Sequence, residues 1–513
     1  MSSLRSMAFV YFITAALFRV STGALADGTN TASTIEDLQQ RFSKIISQPQ
    51  YAAAFWGLKV FSLDSDKVVF EHNSQKLFSP ASNSKLYTVA MALDKLGPDY
   101  RIKTSLYAKN PPTKNGTLKE GLIVFGRGDP LCQDRRVGGD IYKSLDPLVF
   151  ALTNAGVKKI KGDLIMDCTY FRGPEFGSGW VWDDLENSYG AEISALSFNN
   201  NTLMIKVQPA AQVGLRCQVT VTPAIPFLSV SNRTETVGTN HARTITFYRH
   251  LGQNNVFISG QMALDDPGYT EDIPFHRPAE FLASGYKQAL TRHKIKVTGR
   301  LRIIDWLEAR TNSVEHVKAI ELGYIESPPL SALVRAIQKP SQNLYADLLF
   351  AHVGETLRDD STDPETTSEE LGVRALRQFL VRAGIRESDV MFEEGSGLSR
   401  DNLTTPNATV TLLKFMSHHK CADAFIDALP IAGVDGTLRN RMKGTSAEGN
   451  VRAKTGSLRW AKSLSGYVTT AAGERLVFCF MLNRFQSAST PPSADLDALA
   501  VLLAGFTGRS TDR

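Results

Sequence analysis

The sequence predicts a mixed α/β (α+β) protein in which one domain is split by a long insertion. Three observations support this architecture. A helical pattern and a strand pair open the chain, short β-type runs dominate residues 101–319, and helical periods with a strand hairpin close it. At 513 residues the chain is too long for one ordinary hydrophobic core, so two or three domains are expected.

The first hundred residues predict a helix, a strand pair and a second helix. Apolar residues at helical spacing indicate an amphipathic helix over 31–47, and a strand pair is expected over 55–70. Ser79 can cap a helix, and Pro80 suits a first helical position, where no backbone donor is needed. We therefore predict that the second helix begins there and ends at Gly97.

The long middle region is rich in β-type residues broken by Gly, Pro and Asn. Helical periods occur only near 145–155 and 277–293. We interpret 101–319 as one or two inserted domains, mainly β, with a nested subdomain at about 205–265. The glycine-rich segment 126–130 fits no nucleotide-binding fingerprint and predicts a tight turn.

The last part of the chain returns to helical periods. Helices are predicted over 330–337, 344–349, 371–384 and 405–416. A hairpin of core strands is expected between 464 and 482. A final apolar helix at 495–503 lacks the basic face of a membrane-surface anchor, so we expect it to close the fold.

The N-terminus and the composition bear on localisation and partners. Arg5 precedes an apolar run over 7–18, and small residues at Ala24 and Ala26 predict a cleaved signal peptide, 1–26, rather than an anchor. No later run approaches about twenty apolar residues. We expect export to the periplasm or cell envelope and at most peripheral membrane contact. A net charge of +5 without a Lys/Arg block argues against nucleic acid.

The cysteines and histidines indicate neither a disulfide framework nor a metal site. Five cysteines are present: Cys132, Cys168, Cys217, Cys421 and Cys479. Their odd number leaves at least one without a partner in the chain, and the pairing stays open. His418 and His419 lie close to Cys421 but lack further nearby ligands, so a solvated helix end is favoured.

Three short sequence motifs indicate the kind of chemistry. Ser82 and Lys85 lie three positions apart on one face of the predicted helix, and a hydroxyl beside an amine that can lose its proton is the minimum for a Ser/Lys nucleophile. Ser-Gln-Asn follows at 341–343, in a joint between helices, and Lys-Thr-Gly at 454–456, before the hairpin. This order is the signature of the serine penicillin-recognising enzymes.

The spacing of the three patterns indicates which class of penicillin-recognising enzyme the sequence resembles. Ser82 precedes Ser341 by 259 positions, whereas 113 positions separate Ser341 from Lys454. The sequence resembles the D-alanyl-D-alanine carboxypeptidase/endopeptidase family of low-molecular-mass (class C type) penicillin-binding proteins, in which inserted domains separate the first two motifs. The matching segments include 341–347, 395–400, 435–438 and 452–456.

The resemblance implies a domain organisation and a fold. It implies a penicillin-recognising serine transpeptidase-like catalytic domain, an antiparallel sheet flanked by helices. Its first part is expected at 27–100 and its second at 320–513, with the insertion between them.

The resemblance also implies residue roles. Ser82 is expected to attack the peptide carbonyl between two D-alanines and form an acyl-enzyme. Lys85 is our choice of base, kept partly neutral by burial and by the charge of Lys454. Ser341 is expected to relay a proton to the departing amine, and Asn343 to hold Lys85 and the substrate amide.

Further residues are implied in substrate binding. Lys454 and Thr455 are expected to bind the terminal carboxylate, and Gly456 to let substrate lie against the strand. Backbone N–H groups of Ser82 and Ser457 are expected to form the oxyanion hole.

Three assignments concern the peptide's side chain. Ser396 and Leu398 are expected to border its pocket, and Asp184, with Tyr189, either reaches an amino group on the stem peptide or has a structural role.

The implied partners are peptidoglycan peptides and, as covalent inhibitors, β-lactam antibiotics. No metal or organic cofactor is expected, and nothing in the sequence indicates an oligomeric state.

Two alternatives stay open at this point. A β-lactamase or esterase on the same fold would deacylate penicillin quickly, although the large insertion favours the peptidase. A non-catalytic, exported wall-binding protein would not need the reactive pair Ser82 and Lys85. The sequence does not separate carboxypeptidase from endopeptidase activity.

Overall fold

The fold is described from a computed structural model. It covers residues 31–130, 140–225, 227–311, 318–486 and 491–512. The predicted signal peptide and Cys132 lie outside the described residues.

Helices and strands alternate irregularly along the described chain. The helices are α1 (Ile35–Ile46), α2 (Ser84–Leu96), α3 (Asp146–Asn154), α4 (Pro278–Arg292), α5 (Trp306–Thr311), α6 (Leu330–Gln338), α7 (Asn343–Glu355), α8 (Ser368–Arg382), α9 (Pro406–Ser417), α10 (Ala422–Asp427) and α11 (Pro492–Ala504). The strands are β1 (Phe55–Ser62), β2 (Val68–His72), β3 (Lys103–Ala108), β4 (Thr117–Leu118), β5 (Leu122–Phe125), β6 (Lys159–Ile160), β7 (Leu164–Asp167), β8 (Thr202–Gln208), β9 (Gln218–Thr222), β10 (Ser229–Val237), β11 (Thr246–Arg249), β12 (Asn255–Ala263), β13 (Tyr269–Pro274), β14 (Lys296–Val297), β15 (Leu301–Ile304), β16 (Ile320–Glu326), β17 (Val390–Met391), β18 (Leu403–Thr404), β19 (Arg452–Leu458), β20 (Ala461–Thr469) and β21 (Arg475–Asn483).

The two ends of the chain build one antiparallel sheet, in the order β19-β20-β21-β1-β2. Side chains alternate across it, as a strand requires. Phe478 and Phe480 of β21 pack on one face in a layer with α1 and α11, while Cys479 and Met481 pack on the other with α2 and α6 to α10. The antiparallel sheet flanked by helices is confirmed, and the last helix does close the fold.

The middle of the chain forms separate sheets. The larger has the order β15-β7-β5-β3-β16, and helices α3 and α4 share its apolar core. Two three-stranded sheets, β13-β8-β9 and β10-β12-β11, enclose a smaller apolar cluster. Strand β16 pairs with β3, so this sheet extends past residue 319 to Glu326. We refer to the part of the chain between α2 and α6 as the inserted region.

Glycines interrupt two of the β-type runs of the middle region. The run at 296–304 is divided into β14 and β15 by a break at Gly299, and the run at 161–166 is a strand only from Leu164, in β7, because Gly162 lies in the break after β6. A Cβ added at Gly299 would lie 2.3 Å from the Gly162 carbonyl carbon. The two backbones therefore approach each other as closely as glycines allow, which periodicity alone does not reveal.

Within the described ranges, we find no helix whose length and hydropathy would let it cross a bilayer.

Candidate active site

The segment that carries Ser82 begins differently from the prediction. Ala81–Asn83 forms a 3-10 turn, and α2 starts only at Ser84. Ser79 does not cap this helix; its backbone N–H donates to Asn483 Oδ1 at 2.8 Å. Ala81 adopts a left-handed φ of 49°, which turns the chain off the helical path. Ser82 therefore lies on a tight, half-exposed turn in front of α2.

Lys85 lies directly beneath Ser82 and has no solvent exposure. Its Nζ donates to Ser82 Oγ at 3.0 Å, to Asn343 Oδ1 at 2.6 Å and to the Ser396 carbonyl at 2.6 Å. Three acceptors match the three protons of an ammonium group. The contact with Ser82 also provides a direct path for a proton once the amine is neutral.

Burial controls the protonation of both active-site lysines. Desolvation lowers the pKa of Lys85 to about 8, against the opposing charges of Asp347 and Glu394. Burial also lowers the pKa of Lys454 well below its usual range, and the charge of Lys85 lowers it further. Burial is therefore the main cause at both lysines. The charge of Lys85 lowers the pKa of Lys454, but the charges that act on Lys85 are those of Asp347 and Glu394 rather than that of Lys454.

The second and third motifs meet at one point of the site. Ser341 lies in the turn between α6 and α7 with a left-handed φ of 65°. Lys454, on the edge strand β19, donates from Nζ to Ser341 Oγ at 2.8 Å and to the Thr455 carbonyl at 2.9 Å. The Thr455 hydroxyl is 2.8 Å from that of Thr437. One amine and three hydroxyl groups thus gather where β19 meets the turn between α6 and α7.

The inserted region also touches the site. Asn343, the first residue of α7, donates from Nδ2 to the carbonyl of Tyr189 at 2.9 Å. The same side chain accepts from Lys85, so one amide links the inserted region to the reactive lysine.

Gly456 is required by a close approach within the site. A Cβ there would lie 2.1 Å from Ser463 Oγ and 2.5 Å from the Pro80 carbonyl. The edge strand therefore packs directly against the turn that carries Ser82. Ser457, the next residue, is exposed, and its hydroxyl accepts from Lys462 at 2.9 Å.

The loop that carries Ser396 and Leu398 is buried. Ser396 has no exposed surface, its hydroxyl donates to Glu394, and its carbonyl accepts from Lys85. Leu398 is 3% exposed. Ser396 thus meets the site through its backbone rather than through its side chain.

Asp184 is engaged within the protein. It is 4% exposed, lies 3.6 Å from Arg400 and accepts from the backbone N–H of Val181 at 3.2 Å. Burial raises the pKa of its carboxyl, while Arg400 opposes this shift. The pair links the inserted region to the loop after Leu398.

The sequence motifs assign no role to four groups in this site: the carbonyls of Tyr189 and Ser396, and the carboxyls of Asp347 and Glu394. Every residue has a backbone carbonyl, so no residue type in the sequence indicates that a particular carbonyl reaches the site. Asp347 could have been found, because it lies four positions after Asn343 and so shares its helix face.

No group of His, Cys, Asp or Glu side chains that could hold a metal ion occurs among the residues described. His419 instead pairs with Asp94 at 3.3 Å, and Cys421 is buried.

Residues 38–504 match the model of the D-Ala-D-Ala carboxypeptidase 3 (S13) family. The chain belongs to this family. It is therefore a serine-type D-Ala-D-Ala carboxypeptidase, a hydrolase that acts on peptidoglycan, and the resemblance found in the sequence is confirmed.

Individual S13 relatives match over most of their length. A D-alanyl-D-alanine carboxypeptidase of Actinomadura sp. (strain R39) is 29% identical over 94% of this chain and 87% of its own. The carboxypeptidase DacB of Haemophilus influenzae is 26% identical over 83% of this chain and 85% of its own. The crystal structure of penicillin binding protein 4 from H. influenzae superposes with a TM-score of 0.75, covering 91% of this chain and 97% of that one, at 26% identity.

Proposed function

We propose that Ser82 is the nucleophile that removes the terminal D-alanine from a peptidoglycan stem peptide. Its Oγ forms a bond to the penultimate D-alanine carbonyl, the C–N bond breaks, and D-alanine leaves as the amine. Water then hydrolyses the Ser82 ester. The observation that carries this proposal is the 3.0 Å contact between Ser82 Oγ and the desolvated amine of Lys85.

Lys85 acts as the base in this proposal. A pKa of about 8 leaves roughly one tenth of the lysine neutral at pH 7, which suits a group that must both accept and return a proton near neutral pH. Asn343 and the Ser396 carbonyl orient its Nζ toward Ser82.

The leaving amine receives its proton through Ser341, whose hydroxyl is held by Lys454. Lys454 becomes charged when a carboxylate arrives, because an opposite charge favours the ammonium form. Together with Thr455 it binds the terminal carboxylate, and the backbone N–H groups of Ser82 and Ser457 bind the oxyanion.

Lys454→Ala tests the carboxylate role. A hydrogen bond to a charged group contributes about 1.5–3 kcal/mol. The loss of kcat/KM should therefore be at least about tenfold larger for peptides with a free C-terminal carboxylate than for the matched amides. Equal losses of kcat/KM on both substrates would contradict carboxylate binding by Lys454.

Recognition of the peptide's side chain is proposed for the inserted region. Asp184 offers a buried carboxyl to an amino group on the stem peptide, next to the loop with Ser396 and Leu398. Asp184→Asn should raise KM for a stem peptide whose side chain ends in an amine and leave penicillin acylation unchanged. A fall in both would indicate a structural role instead.

A β-lactamase on the same fold is the competing function, and the lifetime of the acyl-enzyme separates the two. The protein should release D-alanine from a pentapeptide, and Ser82→Ala should abolish release. Penicillin should label Ser82 and stay bound, which makes β-lactams covalent inhibitors. Rapid penicillin turnover without D-alanine release would favour the β-lactamase.

Export is proposed on the N-terminal sequence alone. Mass spectrometry of the mature protein from its native cell should find Asp27 as the first residue. A chain that retains residues 1–26 would contradict cleavage.

A further inference from the structure

A pair of acidic side chains lies behind Lys85, on the side away from Ser82. Asp347 projects from α7, and Glu394 from the loop before Ser396; they are 3% and 1% exposed. Each lies close enough to Lys85 to raise the pKa of the lysine when it is ionised. Two carboxylates so close together in the protein interior would repel each other strongly.

The donors around the two carboxyls are unequal. Glu394 accepts from the backbone N–H of Ser396 at 2.9 Å and of Gly397 at 2.7 Å, from Asn402 Nδ2 at 2.7 Å and from the Ser396 hydroxyl. Four donors stabilise an ionised carboxylate.

Asp347 has a different environment. Its Oδ1 accepts from the backbone N–H of Gly395 at 3.1 Å, whereas its Oδ2 is buried and has no donor. Two groups face Asp347: the Glu394 carboxyl, also an acceptor, and the Ser396 hydroxyl, which donates its proton to Glu394. A proton on Oδ2 satisfies both carboxyl groups, because a carboxylic acid can donate where a carboxylate cannot.

We propose that Asp347 is protonated and donates from Oδ2 to the Glu394 carboxylate, so that the pair presents a single negative charge to Lys85. The two are positioning residues. They hold the loop whose Ser396 carbonyl orients Lys85, and they set the charge that the lysine experiences. The inference rests on the proposed role of Lys85 as the base.

Lys85 can act as a base more readily beside one negative charge than beside two. A single negative charge stabilises the ammonium that forms when Lys85 takes the Ser82 proton. A second carboxylate at this distance would raise the lysine pKa by about 1–3 units more and keep it protonated. Burial and the Glu394 charge raise the pKa of Asp347 well above its ordinary range, against the opposing charge of Lys85, in agreement with the shared proton.

Other charged groups surround this pair. Lys454 approaches Lys85 from β19, and Glu369 approaches Glu394 from α8. Across a cavity of about 350 Å³ the inserted region presents Glu192, which is bonded to His276 Nδ1 at 2.6 Å and to the Arg277 N–H at 2.8 Å. The same cavity is lined by Asp347 and Glu394.

Asp347→Asn is the decisive variant. An asparagine can donate to Glu394 and accept from the Gly395 N–H as the protonated acid does. The rate of acylation by a fluorescent penicillin, followed from about pH 6 to about pH 10, should rise over the same pH range as in the wild type, whatever the maximal rate of the variant. If Asp347 were ionised, its replacement would lower the Lys85 pKa, and the acid limb would move about one unit or more to lower pH. That shift would overturn the proposal.

Glu394→Gln is the matched comparison. Its amide group would face four donors and remove the single charge, so the acid limb should move to lower pH, whereas that of Asp347→Asn stays in place. An unshifted acid limb in Glu394→Gln would also overturn the proposal. Ser82→Ala serves as the blank: labelling of that variant would refute the proposed nucleophile rather than the carboxyl pair.

A spectroscopic readout does not depend on activity. At about pH 8, infrared difference spectra of the wild type should contain the stretch of a buried, protonated carboxyl, absent from Asp347→Asn. Wild-type protein without such a band would contradict the shared proton.

Discussion

Lys85 and Lys454 are fully buried, and each is held by hydrogen bonds to neighbouring oxygen atoms. Burial is what turns one ordinary ammonium into a group that can act as a base. The sequence could predict these lysines, because their motifs are local. It could not predict the carbonyls of Tyr189 and Ser396, since these backbone atoms reach the site only through long-range packing.

The protonation of Lys85 predicts a pH dependence of acylation. Below a pKa of about 8 the lysine is an ammonium and cannot accept the Ser82 proton, so the rate should rise as pH increases through about 8 and then level off. Stopped-flow measurement of the acylation rate constant between about pH 6 and pH 10 checks this. A profile without an acid limb in that range would contradict Lys85 as the base.

At the scale of elements, the edge strand β19 and the turn 81–83 form one unit. The sequence predicted the strand and a helix start, but it placed the start too early. Pro80 and Ser79 have the right residue types, whereas the left-handed backbone of Ala81 delays α2 until Ser84. Local propensity cannot detect a turn that is fixed by packing on a distant strand.

Gly456→Ala tests this unit. A methyl group would meet Ser463 Oγ and the Pro80 carbonyl, so we expect a loss of about 1–3 kcal/mol of unfolding free energy and slower acylation of Ser82. Thermal unfolding and penicillin labelling measure the two effects.

Gly238→Ala is the control, because a Cβ there meets nothing closer than 3.8 Å. It should change the unfolding free energy by less than about 0.5 kcal/mol. Equal effects at the two positions would show that the close approach at Gly456 is unimportant.

At the scale of the whole molecule, the chain ends build the sheet and the middle contributes Tyr189 to the site. Periodicity predicted most strands and helices and two local hairpins, at 55–70 and 464–482. It did not predict that β1 pairs with β21, since pairing between the two ends of a chain leaves no local pattern. The break at Gly162 and Gly299 was missed for the same reason.

The inserted region contacts α8 through Glu369, which accepts from the Ser178 N–H and hydroxyl. Burial, with the charges of Glu394 and Glu393, raises the pKa of Glu369 from 4.5 to about 7. A raised carboxyl pKa stabilises the fold at low pH, and this contribution is lost as pH rises from about 4.5 through 7. Glu369→Gln should therefore lose less Tm than the wild type between about pH 5 and pH 8. Parallel Tm curves for the two proteins would contradict this assignment.

Intact-mass and peptide mass spectrometry after brief exposure to penicillin tests most directly whether Ser82 is the nucleophile. We expect one penicilloyl adduct, on the peptide that contains Ser82, and none in Ser82→Ala. We also expect the wild type, but not this variant, to release D-alanine from a pentapeptide. An adduct on another residue, or equal D-alanine release by Ser82→Ala, would contradict Ser82 as the nucleophile.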